Sequence, residues 1–174
     1  MRKLNNSELK RITIEEFKKT TKNKVVIILD NVRSAQNVGS IFRTSDAFLV
    51  EKIYLCGITP KPPSNEIRKT ALGATKSVEW EYQTNTNDVV KLLKPKGYNI
   101  VGVEQAEKST SLENFKIDKP TAFIFGHEVE GIDQNIINEC DEVLEIEQFG
   151  TKHSLNISVC AGIIIWKAIK SIYA

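Results

Sequence analysis

Seven hydrogen-bonding side chains, Asn31, Arg33, Gln36, Asn37, Ser40, Arg43 and Asp46, crowd the stretch "NVRSAQNVGSIFRTSDAF" (31–48). It lies between two apolar runs, "KVVIILD" and "KIYLCG", where a plain turn and an amphipathic helix would suffice. Seven donors and acceptors are more than a connection needs, and their density points to a bound ligand. Two more polar clusters follow apolar runs, "GHEVEG" (126–131) and "QFGTKHSLNIS" (148–158). Single residues in them also have structural readings. Asn37 is placed to cap a helix over 38–48, and Arg43 to pair with Asp46 at i+3. Gly126 and Gly131 suit turns, and Ser154 suits the cap of the last helix, with Asn156 near its start. Three such clusters after three strand-like runs favour a site over coincidence.

Several familiar chemistries fail on the residues. No Gly-x-Gly-x-x-Gly follows a strand, so a dinucleotide fingerprint is absent. "GHEVEG" has phosphate-loop glycine spacing, but Ile132 and Asp133 stand where Lys and Ser/Thr are required. "HE" at 127–128 lacks the second histidine of a zinc protease, and no Gly-x-Ser-x-Gly elbow occurs. His127 and His153 are the only histidines, which leaves a histidine triad few candidates. Cys56, Cys140 and Cys160 form no Cys-x-x-Cys pair, so neither a disulfide framework nor a zinc site is indicated and no metal is expected.

The elements that must carry the clusters are short β-branched runs at 25–29, 52–57, 77–82, 98–104, 121–126 and 142–147. Helix-compatible stretches at 38–48, 64–73, 86–95 and 132–140 alternate with them, as in an α/β fold with a mainly parallel sheet. Runs apolar at consecutive positions fit strands covered on both faces. If the strands are parallel, all three clusters gather at their carboxyl ends, where α/β sheets bind ligands. The last segment, 154–173, is apolar nearly all round from Val159 to Ile165, which predicts central burial or a subunit contact. A homodimer through this helix would hide Ile163, Ile164 or Trp166.

With 174 residues, 41% hydrophobic and 26% charged, the chain fits one domain with an adequate core. The polar N-terminus and the short apolar runs predict a soluble, cytoplasmic protein without a membrane segment. Residues 1–24 hold eight Lys/Arg against three Glu, while the other 150 hold 16 basic and 19 acidic groups. A basic extension (1–23, expected helical) on a mildly acidic body suits a polyanion or a solvated amphipathic helix. Candidate phosphate contacts are Arg11 in the extension, Arg33, and Lys61, Arg68 and Lys69 around the loop "TPKPPSN".

Asn37-Val-Gly-Ser-Ile-Phe-Arg43, Gly126-His-Glu128-Val-Glu-Gly131 and Ser154-Leu-Asn156-Ile-Ser together resemble the SPOUT superfamily of RNA methyltransferases, SpoU/TrmH branch. The likeness runs from about Lys24 to the C-terminus. It implies a parallel sheet with a C-terminal trefoil knot over 24–174, and S-adenosylmethionine as cofactor. The implied reaction is methylation of a ribose 2′-hydroxyl in tRNA or rRNA, by a homodimer. By position, Gly126, Gly131, Ile146, Gln148 and Leu155 would hold the cofactor, and Arg43 would be catalytic, supported by Asn37, Glu128, Ser154 and Asn156. The chain departs from the family's Ile-Pro-Met with Ile146-Glu147-Gln148-Phe149 before Gly150. A catalytically inactive RNA- or adenosine-binding module is the alternative.

Overall fold

The computed structural model describes residues 1–173; residue 174, the last of the expected domain, lies outside the described residues. Seven strands form one sheet: β1 (Asn23–Asp30), β2 (Val50–Cys56), β3 (Glu79–Gln83), β4 (Asn99–Val103), β5 (Thr110–Ser111), β6 (Thr121–Phe125) and β7 (Glu142–Glu145). Their order is β3-β2-β1-β6-β4-β7-β5, and every pairing is parallel. All carboxyl ends therefore share one edge.

Six α-helices among the described residues cover the sheet: α1 (Ile14–Lys19), α2 (Ala35–Ala47), α3 (Asn65–Ala71), α4 (Thr86–Leu93), α5 (Gln134–Ile137) and α6 (Ile157–Ile172). Strand β1 shows why its consecutive apolar residues are needed. Val25, Ile27 and Leu29 pack with α2, α3 and α6 on one face, while Val26 and Ile28 pack with α4 and α5 on the other. Each such side chain, fully buried, contributes about 1.5–3 kcal/mol.

The helix boundaries depart from the sequence expectation where caps intervene. Helix α2 starts at Ala35, not 38, because the Ser34 hydroxyl accepts the Asn37 N–H at 3.2 Å. Asn37 is thus inside the helix, with its amide free for other partners. The Arg43–Asp46 pair does not form; Asp46 accepts a hydrogen bond from Ser77 instead. Helix α6 is capped by Asn156, whose Oδ1 accepts the Ser158 N–H at 2.9 Å, so Ser154 is not its cap. The stretch 132–140 yields only the single turn of α5, and the two-residue β5 was too short to stand out in the sequence. In the N-terminal segment only α1 and a 3-10 turn (Asn6–Leu9) are helical, and Phe17, 3% exposed, is its one residue in the core. Ile164 is buried in the chain's own core, whereas Ile163 and Trp166 are exposed.

Candidate active site

Four residues separate β1 from helix α2, and the loop 126–131 leaves the adjacent β6, so the two polar clusters meet at the sheet edge. Glu128 joins them. Its Oε2 accepts the Arg33 N–H at 2.9 Å, and its Oε1 accepts the Ser34 N–H at 3.0 Å and the Asn37 Nδ2 at 3.2 Å. Burial works against ionisation, yet the two N–H groups and the Asn37 amide outweigh it and hold the carboxyl below its ordinary value. A carboxylate on the free N–H groups of α2 also suits the helix dipole.

Asn37 passes the chain onward, since its Oδ1 accepts the Asn156 Nδ2 at 3.2 Å. Asn156 in turn caps α6 and accepts the Ser158 hydroxyl at 2.7 Å. One hydrogen-bonded series, Glu128–Asn37–Asn156, thus links residues 91 and 119 positions apart.

Beside it opens a cavity of about 1,020 Å³ at the ends of β4, β6 and β7. Gly126, Gly131, Ile146, Gln148 and Leu155 all line it, together with Ser154 and Asn156. The 126–131 loop closes tightly: His127 and Gly131 exchange backbone hydrogen bonds at 3.1 and 2.9 Å. A Cβ on Gly126 would lie 2.4 Å from the backbone of Gly131 and Ile132, so only glycine permits that closure. His127 Nδ1 accepts the N–H groups of Val129 and Glu130, both at 3.1 Å, which leaves the ring proton to Nε2.

Glu104 and Gln105 also line the cavity, and the sequence reading missed them. Glu104 accepts the N–H of Ile132 at 3.1 Å and of Gln105 at 2.9 Å, while Gln105 Nε2 donates to the His153 carbonyl at 2.6 Å. The available signal was an acidic residue closing the strand run 98–104.

Arg43 is not brought into this cluster. Six residues beyond Asn37 on α2, it lies about 9 Å along the axis and roughly 120° round it. Its side chain is exposed and makes no hydrogen bond or ion pair among the described residues. Arg11, Arg33 and Arg68 are likewise exposed. Lys69 pairs with Glu66 at 2.6 Å, and Lys61 sits 3.9 Å over the Tyr82 ring. Burial pushes the thiols up, Cys56 to about 12 and Cys140 and Cys160 to about 11, so none is poised as a nucleophile. No group of three or more His, Cys, Asp or Glu among the described residues is arranged to hold a metal ion. Nor is any described helix long and apolar enough to cross a membrane.

Known proteins are similar to this chain in sequence and fold. A tRNA (guanosine(18)-2′-O)-methyltransferase of Thermus thermophilus is 27% identical over 162 residues, covering 93% of this chain and 82% of that protein. An uncharacterized tRNA/rRNA methyltransferase of Borreliella burgdorferi is 31% identical, covering 88% and 67%. The chain spans only 63–64% of the length of two staphylococcal relatives of the TrmH family. The crystal structure of the A. aeolicus TrmH/SpoU tRNA modifying enzyme superposes with a TM-score of 0.82 at 25% identity, covering 92% of this chain and 82% of that one. The AdoMet-bound rRNA methyltransferase of Sinorhizobium meliloti also gives 0.82 at 25% identity, covering 91% and 61%. Residues 24–166 match the SpoU rRNA Methylase family, and the chain belongs to that family.

Proposed function

We propose that this protein methylates a ribose 2′-hydroxyl of tRNA or rRNA with S-adenosylmethionine, acting as a homodimer in the cytoplasm. The observation that carries this reading is the Glu128–Asn37–Asn156 series beside the large cavity. The names of the Thermus and Sinorhizobium proteins, a 2′-O-methyltransferase and an AdoMet-bound enzyme, support the same chemistry.

The cavity suits the cofactor in size and in lining, with apolar Ile146 and Leu155, the glycine-bearing loop 126–131 and Gln148. When bound, S-adenosylmethionine supplies a sulfonium methyl group already activated for transfer. The protein's part is then alignment of the hydroxyl and stabilisation of its developing negative charge. Asn37, Ser154 and Asn156 orient the ribose, and ionised Glu128 fixes Asn37. Arg43 acts as a cation toward the acceptor and its phosphate. A guanidinium is a delocalised cation and a poor base.

Residues 1–23 form a basic extension to a methyltransferase domain that starts at 24, and Arg11, Arg33, Lys61, Arg68 and Lys69 meet RNA phosphates. The C-terminal segment is knotted. Supporting this, the Gln105–His153 bond and a 3.2 Å bond from Lys167 Nζ to the Glu113 carbonyl tie the segment to the β4–β6 connection.

Incubation with methyl-labelled S-adenosylmethionine and total RNA, followed by digestion to nucleosides, tests the reaction. A labelled 2′-O-methylnucleoside is expected. Unlabelled RNA after incubation with folded, cofactor-binding protein would overturn the proposal.

A further inference from the structure

A second cavity, of about 860 Å³, adjoins the first along the carboxyl edge; His127, Val129–Ile132 and Gln134 wall both. Its own walls are Asp30, Asn31, Arg33, Ile58 and Asp133. Two features of it serve no packing purpose. Ile58 is 65% exposed and Val129 81%, so two aliphatic side chains of its lining stand in water. In the same lining Arg33, whose N–H is tied to Glu128, leaves its guanidinium unpaired among the described residues.

We infer that this second cavity receives the base of a nucleotide adjoining the methylated ribose, packed against Ile58 and Val129 with its phosphate on Arg33. The inference rests on the RNA methyltransferase reading above. Chemistry fixes the orientation. Glu130 and Asp133 repel a phosphate, which leaves Arg33 as the anion's contact on the side nearer Glu128. The floor is rich in acceptors. Asp30 is 4% exposed and accepts hydrogen bonds from Asn31 and Thr86, and Asp133 spends one oxygen on the Asn135 N–H at 2.8 Å. The other oxygen of Asp133 suits the exocyclic amino group that adenine, guanine and cytosine carry and uracil lacks, so those bases are preferred. Sequence preference would thus come from a pocket beside the one that binds the methyl donor.

Fluorescence anisotropy with labelled 12-mer oligo(A), oligo(C) and oligo(U) RNAs, in the presence of S-adenosylhomocysteine, tests this on the whole chain. Wild type should bind oligo(A) and oligo(C) more tightly than oligo(U). Ile58→Ser should weaken oligo(A) binding about tenfold, in line with the loss of one base contact. Arg33→Gln should flatten the salt dependence by nearly one phosphate contact. Asp133→Asn, which keeps the helix cap, should abolish the preference against uracil. Calorimetry with S-adenosylhomocysteine and the melting temperature should stay at wild-type values in all three. Equal binding of the three RNAs, or folded variants that bind as wild type does, would overturn the base pocket even where methyl transfer to total RNA is found. Altered RNA binding without any methyl transfer would instead count against the enzymatic reading and leave the pocket standing.

Discussion

Glu128 and Arg43 mark two extremes of charge in this molecule. Glu128 is committed to three donors within the chain, whereas Arg43 has none among the described residues. The lowered pKa of Glu128 gives a signed consequence. Its contribution to stability is present above the ordinary carboxylate range and is lost as pH falls through the folded value. Glu128→Gln, which sets an amide against the same N–H groups, should be less stable at pH 7 by about 1–2 kcal/mol. Urea unfolding should show the gap narrowing as pH falls below the ordinary carboxylate range and through the lowered folded value. A gap independent of pH would mean that lost packing, not charge, explains the variant. Arg43 calls for the opposite experiment. Arg43→Ala removes an exposed side chain without partners, so the melting point should hardly move. If Arg43 is the cation facing the acceptor, methyl transfer should fall by on the order of 100- to 1,000-fold with S-adenosylhomocysteine affinity intact. Wild-type turnover in the variant would remove Arg43 from the mechanism.

At the scale of elements, the loops after β4, β6 and β7 act as one unit. Glu104 holds the N–H of Ile132, Gln105 holds the His153 carbonyl, and Gly131 sits against Glu104 with φ at +72°. A Cβ on Gly131 would lie 2.3 Å from Glu104 Oε2, in a backbone region costly for alanine. Gly131→Ala should therefore displace Glu104 and weaken S-adenosylhomocysteine binding at least tenfold by calorimetry, with the sheet still folded by circular dichroism. Unchanged affinity would detach the loop from the cofactor. Strands were the most legible elements in the sequence, because VVIIL and AFIF (122–125) are buried on both faces and must be apolar at every position. The meeting of Asn37, Glu128 and Asn156 was legible as three clusters after three strands and through the family resemblance, but not as particular contacts. That Ser34 rather than Asn37 caps α2 was not, since either side chain can cap and the choice depends on Glu128, 94 residues from Ser34. The Glu104–Gln105 bracket stayed hidden for the same reason: its partners are remote in sequence.

For the whole molecule the open question is what covers α6. The helix divides cleanly: Ala161, Ile164, Ile165 and Ala168 are buried, while Val159, Ile163 and Trp166 are 52%, 37% and 51% exposed. Those three stand at i, i+4 and i+7, one stripe on the side away from the sheet. Trp166 presents a large apolar surface to solvent, which singly needs no explanation but as part of a stripe suggests an interface. If a second copy covers it, two-fold symmetry sets α6 against α6 and brings each tryptophan near its own mate's helix. A carboxylate at that position would then meet another across the axis, in a setting that strips both of water. Trp166→Glu should thus convert a dimer to a monomer in light scattering while leaving the circular dichroism of the chain unchanged. The site tests whether assembly matters for function, because Asn156 caps the same helix and ends the series that begins at Glu128. A monomeric variant with weakened S-adenosylhomocysteine binding would tie that series to the interface; one that binds normally would separate them. A wild-type protein that scatters as a monomer at working concentration would overturn the dimer itself.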